Sequence, residues 1–218
     1  MKRRLGFLAG ESRSPIHPNM EMPGPPARVL GLIRGFESLG WSVEPFIVGD
    51  RSPKKWSAKG SGAAMNKGFL RTLGVDFVRI GLGIFNSWRS WRELGDRVDW
   101  VYEYAATLQC LGWIFQRQGI PWILQVEALL YYEAKVERKA LVLDGIARRL
   151  ELCSYRQCNV IACVSATLKE ILVKAFNVQN RLQEIQTKAR QEIEQNHSWT
   201  NRVRVLIEQS DRIIKSKN

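Results

Sequence analysis

The sequence predicts an α/β fold: a single doubly wound, Rossmann-like parallel sheet with helices on both faces. Two observations lead to this prediction. Short apolar runs typical of buried strands alternate with segments whose apolar residues recur every three or four positions, as in amphipathic helices. In addition, 218 residues with 45% apolar content are enough for one buried core but few for two full-sized domains.

The first quarter of the chain reads as a βαβ unit. The apolar run at 4–9 predicts a strand, and a segment rich in proline, glycine and serine follows it at 10–26. Apolar residues then recur at helical spacing up to Gly40, and residues 41–48 predict the second strand. Gly24 is a candidate phosphate-binding residue because its loop enters the amino end of a helix. A rigid turn made by the two following prolines is the alternative.

The same alternation returns in the second half of the chain. Further strands are predicted at 100–104, 121–126 and 159–164. A helix over 105–118 is predicted to join the first two of them, and a helical connector over 127–157 precedes the last. The chain beyond residue 176 is predicted to be helical, with a final helix at 200–214 that Ser198 caps.

Three glutamates lie where a doubly wound sheet meets its ligand, outside the carboxyl ends of the strands. Glu103 lies at the end of one strand, Glu127 follows the next, and Glu133 comes just beyond. A carboxylate in this position can accept hydrogen bonds from sugar hydroxyls or take a proton from an acceptor hydroxyl. Each glutamate can equally be a helix-end charge or part of an internal salt bridge.

The chain carries a formal net charge of +12, which favours anionic partners. Residues 51–75 contain six basic residues and no acidic one, and a predicted helix over 75–94 follows them. Two tryptophans and two arginines on that helix, Trp88, Arg89, Trp91 and Arg92, allow two interpretations: core packing, or contact with an anionic membrane surface. Nucleic acid is disfavoured as a partner because the basic and aromatic residues follow no recognition motif.

Localisation and cofactors are predicted from what the chain does not contain. Its apolar runs are too short for a membrane span, and the run at 5–9 is too short for an export signal. We therefore expect a cytoplasmic protein, soluble or peripheral on the inner face of the membrane. No metal site is expected, because the four cysteines include no close pair and have no histidine nearby.

Several motifs resemble those of glycosyltransferase family 4, which has the two-domain GT-B fold. Residues 99–104 read DWVYEY, and residues 119–130 read GIPWILQVEALL. The family has an aspartate and a VYER strand, then a GIP segment that leads into LEVN and a later acidic residue. Residues 164–170, VSATLKE, are similar to the motif that ends the family's amino-terminal domain. Residues 24–48 resemble its glycine-rich loop, first helix and second strand.

The resemblance implies a set of cleft or acceptor-binding candidates. They are Gly24, Glu103, Glu127, Glu133 and Ser165. The chain also departs from the family pattern at four positions. Tyr104 replaces an arginine, Gln125 a glutamate, Glu127 an asparagine, and Pro25 the second glycine of the loop.

Residues 180–203 resemble the extreme carboxyl end of the same family. The resemblance thus assigns 1–173 to the amino-terminal domain and 174–218 to a carboxyl-terminal helical segment. The two meet near Val173–Phe176, and the donor-binding domain that normally separates them is missing, so that half of a GT-B architecture is expected. In such enzymes the last helix packs back on the amino-terminal domain, and we expect the same here.

The implied ancestral activity is that of a retaining hexosyltransferase of polysaccharide biosynthesis. Such an enzyme moves a sugar from a UDP- or GDP-linked donor to a hydroxyl acceptor. Without the donor domain, we expect the chain to be inactive alone. A non-catalytic binding module that partners a separately encoded donor domain, or a peripheral membrane partner of glycan synthesis, is the alternative.

Overall fold

The computed structural model describes residues 3–10, 25–51, 68–176 and 199–215. Five strands form one sheet with the order β2-β1-β3-β4-β5, and every neighbouring pair is parallel. The strands are β1 (Arg4–Ala9), β2 (Ser42–Ile47), β3 (Trp100–Tyr104), β4 (Trp122–Val126) and β5 (Val160–Cys163). The predicted Rossmann-like α/β class is confirmed. Because the strand order reverses between β1 and β3, a crevice is expected at their carboxyl ends.

The helices connect these strands in the predicted alternating order. They are α1 (Pro25–Ser38), α2 (Val48–Arg51), α3 (Phe69–Leu94), α4 (Trp113–Arg117), α5 (Leu130–Tyr132), α6 (Asp144–Gln157), α7 (Ala166–Phe176) and α8 (Trp199–Lys215). A π-helical turn, Glu133–Glu137, continues α5. Gly40 ends α1 with a φ of +85°, a left-handed conformation that glycine adopts without strain.

One face of the sheet is covered by α1 and α8. Apolar residues of both helices form a single core with Phe7 of β1, Tyr102 of β3 and Ile123 of β4. A Cβ atom on Gly31 of α1 would lie 2.5 Å from the indole ring of Trp199, so glycine permits the close approach of α8. The expectation that the last helix packs back on the amino-terminal domain is confirmed.

The opposite face is covered by α4, α6, α7 and the end of α3. Its core includes Leu94, Phe115, Tyr155 and Leu172, which pack against Leu124 and other outward residues of the strands. Helix α7 continues through the predicted join at Val173–Phe176, so the boundary between 1–173 and 174–218 falls inside one helix.

Three predicted helices have different bounds in the structure. The prediction of a helix over 105–118 is wrong, because only its last part, α4, is helical and an irregular loop precedes it. Loop residues such as Leu111 are buried in the core, and apolar spacing alone does not separate such a loop from a helix. Helix α3 begins at Phe69, six residues earlier than predicted. The connector over 127–157 is interrupted between the π-helical turn and α6. Ser198 and the helical segment predicted over 177–198 lie outside the described residues, whereas the final helix predicted at 200–214 is confirmed as α8.

Candidate ligand site at the carboxyl edge of the sheet

Polar side chains gather at the carboxyl ends of β3 and β4, on the face covered by α1. Tyr102 and Tyr104 alternate with Glu103 along β3, and Gln125 pairs in register with Tyr104. Because successive side chains of a strand point to opposite faces, both tyrosines project toward α1. Gln125 and Glu127 share that side, and Arg28 reaches them from the first turn of α1. We refer to these five residues as the polar cluster.

Hydrogen bonds join the members of the polar cluster to one another. Arg28 Nη1 lies 3.0 Å from Glu127 Oε2, and Gln125 Nε2 donates to Glu127 Oε1 at 3.0 Å. The Tyr104 hydroxyl also donates to Glu127, and the Tyr102 hydroxyl donates to the side-chain oxygen of Gln125. The negative charge of Glu127 raises the pKa of the Arg28 guanidinium. Glu127 is therefore held as the acceptor of three side-chain donors.

The polar cluster is buried at one end and open at the other. Tyr102 and Gln125 are almost fully buried. In contrast, the side chain of Arg28 is 53% exposed and that of Glu127 is 22% exposed. The Arg28–Glu127 ion pair is therefore exposed to solvent, and the buried side chains of Tyr102 and Gln125 lie behind it. A guanidinium beside a carboxylate offers donors and acceptors together, which suits a ligand with several hydroxyl groups.

Glu103 has a different setting, although it adjoins Tyr104 in the chain. Its side chain is 1% exposed and lies on the other face of the sheet. The two carboxylate oxygens accept the backbone N–H groups of Leu111 and Gly112, each at 2.8 Å. Burial raises the pKa of Glu103 to about 7, although these two hydrogen bonds act in the opposite direction. Glu103 therefore fixes the loop before α4 and does not reach the polar cluster.

Two further carboxylates bind the backbone in the same way. Fully buried Asp76 of α3 accepts the N–H groups of Val142 and Leu143, just before α6, at 2.7 and 3.1 Å. Glu151 of α6 accepts those of Leu130 and Tyr131 at 3.0 and 2.9 Å. We call Asp76, Glu103 and Glu151 the capping carboxylates, because each satisfies N–H groups at or just before a helix start.

The remaining cleft candidates are placed separately. Glu133 lies in the π-helical turn, where it pairs with Arg138. Ser165 precedes α7, and its hydroxyl accepts the N–H of Leu168 at 3.1 Å, so it caps that helix. Gly24 lies outside the described residues. Of the predicted cleft residues that the structure describes, Glu127 alone belongs to the polar cluster.

The four membrane-contact candidates occupy different sides of α3. Trp91 packs edge-on against Phe115, with ring centroids 5.2 Å apart, on the inner side of the helix. Arg89 pairs with Glu93 at 2.9 Å. Trp88 is 50% exposed, and the Arg92 guanidinium lies 5.5 Å from the centre of its ring. Trp88 and Arg92 thus share the outer side of α3.

Sequence reasoning missed four of the five members of the polar cluster. Tyr104 and Gln125 were noted only as departures from the family pattern, and Arg28 and Tyr102 were not singled out. The position of Arg28 could have been predicted, because a helix that follows a parallel strand begins at the carboxyl edge of the sheet. A cation in the first turn of α1 is therefore near any side chain that ends β3 or β4. No pattern in the sequence indicates that Tyr102 belongs to the cluster, since an aromatic residue inside a strand is typical of the core.

A small cavity lies behind the site, with a volume of 20 Å³. Its polar lining residues are Thr107, Gln109, Glu151, Ser154 and Tyr155. Gln109 Oε1 has no hydrogen-bond partner. The cavity is about the size of one water molecule. A ligand as large as a sugar must therefore bind outside it, and the open end of the polar cluster is the better candidate.

The fold and site together define a Rossmann-like α/β protein with a polar cluster at the carboxyl edge of its sheet. No protein-family model matches this chain, and no significant match was found among curated proteins. The resemblance to glycosyltransferase family 4 therefore rests on the sequence motifs. Within the described ranges, no group of histidine, cysteine and acidic residues could hold a metal ion. In that same part of the chain, no helix is long and apolar enough to span a bilayer.

Proposed function

We propose that this protein is the acceptor-side half of a retaining GT-B glycosyltransferase of family 4. It binds a hydroxyl-bearing acceptor but does not transfer sugar by itself. The observation that carries the proposal is the polar cluster, in which buried amide and phenol groups support a partly exposed ion pair at the carboxyl edge of a doubly wound sheet. Ligands of such sheets bind at this edge.

The departures from the family pattern support retained binding. Three of the four replaced residues, Tyr104, Gln125 and Glu127, hydrogen-bond within one cluster. A set of substitutions that preserves mutual hydrogen bonding keeps the edge polar and ordered, whereas isolated losses would leave polar groups unpaired. We infer that the site has changed its ligand contacts as a unit.

Inactivity of the isolated chain follows from what sugar transfer requires. The departing nucleotide phosphate must be stabilised by fixed cations or backbone donors in a site that excludes water. By the family resemblance, that clamp and the UDP- or GDP-sugar site belong to the missing domain. Arg28, the charged donor of the polar cluster, is already paired with Glu127. A separately encoded donor domain is the partner that would complete the site.

A non-catalytic binding module is the second candidate function. It is favoured by the capping carboxylates, because Glu103, Asp76 and Glu151 each accept hydrogen bonds from two backbone N–H groups. A carboxylate fixed in this way is not available as a general base. In either role we place the protein in the cytoplasm, as a peripheral protein on the inner face of the membrane.

Two measurements on the purified chain test this proposal. We expect no sugar transfer from UDP-glucose or GDP-mannose to methyl glycosides, and turnover would disprove the proposed inactivity.

The second measurement is an amide chemical-shift titration. Methyl glycosides should shift the amide signals of Gln125 and its neighbours, whereas UDP and GDP should not. Glu127→Ala should abolish the response, and Glu133→Ala, which removes a carboxylate outside the cluster, should preserve it. A response to nucleotides alone, or to none of these probes, would refute acceptor binding.

A further inference from the structure

The outer side of α3 exposes an unusual amount of apolar surface. Nine of the fourteen exposed large apolar residues in the described chain lie on this one helix. They are Phe69, Leu70, Val75, Phe77, Val78, Leu82, Ile84, Phe85 and Trp88. Isolated exposed apolar residues are common on soluble proteins, but a contiguous set indicates a contact surface.

Five of the exposed apolar residues form a stripe along α3, on the side opposite the residues that the helix buries against the rest of the protein. Asp76, Gly83, Asn86, Ser90 and Leu94 are the buried residues of the helix. On the opposite side, Leu70, Phe77 and Ile84 recur every seven residues and are 80%, 60% and 69% exposed. Phe85 and Trp88 continue the stripe, which extends for about 27 Å at the helical rise per residue. We refer to these five residues as the α3 apolar face.

The sequence that contains α3 is strongly basic. Residues 51–94 contain nine lysines and arginines and two acidic residues, Asp76 and Glu93. Asp76 is buried and pairs with Arg79, and Glu93 pairs with both Arg51 and Arg89, so the basic residues of α3 outside these ion pairs are Arg71 and Arg92. Arg92 lies against the ring of Trp88. An apolar stripe that basic residues accompany is complementary to a surface with anionic groups above an apolar layer.

We propose that the α3 apolar face binds the surface of an anionic phospholipid bilayer, with α3 parallel to the membrane plane. Ile84, Phe85 and Trp88 enter the boundary between headgroups and acyl chains, and Arg92 pairs with lipid phosphate. This inference names the surface behind the proposed peripheral location. It does not depend on the glycosyltransferase ancestry, because the polar cluster belongs to other elements.

The test is co-sedimentation of the full chain with vesicles at low salt. We expect binding to vesicles of equal parts phosphatidylcholine and phosphatidylglycerol, and at least about tenfold weaker binding to phosphatidylcholine alone. Added salt should weaken the binding, because it screens the arginines and lysines from the lipid headgroups. Absence of binding to the mixed vesicles at low salt would overturn the proposal.

A matched pair of variants assigns the binding to α3. Trp88→Ala should weaken vesicle binding about tenfold, because a large ring that enters the interface is lost. Trp113→Ala is the control, since Trp113 is 37% exposed and is also stacked with an arginine, Arg117 at 4.2 Å, but lies on α4. Equal binding by the two variants would refute the assignment.

Two further readouts separate the competing explanations. If a second copy of the chain covers the α3 apolar face, size-exclusion chromatography will show a wild-type dimer that Trp88→Ala converts to a monomer. That result would overturn the membrane proposal. The glycoside titration should be unchanged in Trp88→Ala, so failure of lipid binding and failure of acceptor binding are observed independently.

Discussion

Glu103 and Glu127 look alike in the sequence, and the structure gives them opposite settings. Each follows or ends a strand at the carboxyl edge of the sheet. Glu103 is buried on the α4 face and bonded to two backbone N–H groups, whereas Glu127 is partly exposed on the α1 face and bonded to side chains. The comparison shows that an acidic residue at this edge serves folding or ligand contact according to the face on which it lies.

The difference has an energetic consequence. Removing Glu103 leaves two buried N–H groups without acceptors, and such groups cost about 1–3 kcal/mol each when unpaired. The donors to Glu127 lie beside an open edge of the sheet. Arg28 is 53% exposed, and water can enter the space that the 22% exposed Glu127 side chain leaves and reach the buried donors Tyr104 and Gln125. Stability and binding should therefore be lost by different substitutions at the same edge.

The largest expected effect is on folding. Glu103→Ala should lower the free energy of unfolding by about 3 kcal/mol, because Leu111 and Gly112 lose their acceptors and a cavity remains. Glu127→Ala and Glu133→Ala should each cost at most about 1 kcal/mol, as expected for partly exposed ion pairs. Urea denaturation of the three variants checks this order. Equal losses for Glu103→Ala and Glu127→Ala would remove the distinction between the two glutamates.

The second prediction concerns pH. The pKa of Glu103 is about 7 in the folded protein and near 4.5 when unfolded, so the folded state binds more protons between these values. We therefore compare the free energy of unfolding of the wild type with that of Glu103→Gln. The wild-type value minus the variant value should fall by about 3 kcal/mol as the pH rises from 4.5 to 7 and should stay level above that range. Denaturation curves at several pH values measure the difference. Parallel pH profiles for wild type and variant would contradict the buried, protonated carboxyl group.

The smallest predicted effect is the loss of a single tyrosine hydroxyl, and it is compared at Tyr155 and Tyr104. The Tyr155 hydroxyl donates to Glu151, a capping carboxylate, and the Tyr104 hydroxyl donates to Glu127. Tyr155→Phe should cost about 1–2 kcal/mol of unfolding free energy, because burial already disfavours the charge of Glu151 and raises its pKa. Tyr104→Phe should cost less than about 1 kcal/mol but weaken glycoside binding. If Tyr104→Phe proves the more destabilising, the polar cluster is primarily a folding element.

Much of the fold could be predicted from the sequence because its signals are local. Strand β1 and strand β3 have the predicted bounds, since a short apolar run between polar or turn residues admits few other interpretations. The loop before α4 could not be predicted in this way. Its apolar residues are buried through contacts with distant elements, and Glu103 fixes it by hydrogen bonds eight and nine residues away.

The candidate site was predicted less completely than the fold. The sequence placed Glu127 at the carboxyl edge, because the end of a strand is a local property. The partnership of Glu127 with Arg28 joins residues 99 positions apart, and only the packing of α1 on the sheet brings them together. The split of α3 between inward Trp91 and outward Trp88 likewise depends on how the helix is rotated against α4.

By itself, then, the sequence determined the alternation of strands and helices, the parallel sheet and the edge at which polar groups gather. These follow from apolar periodicity and the chirality of βαβ connections. The tertiary structure alone decided which glutamate caps a loop, which one joins the polar cluster and which side of α3 stays uncovered. The reason is that the face and neighbours of a side chain depend on residues far away in the chain, and a local pattern carries no information about them.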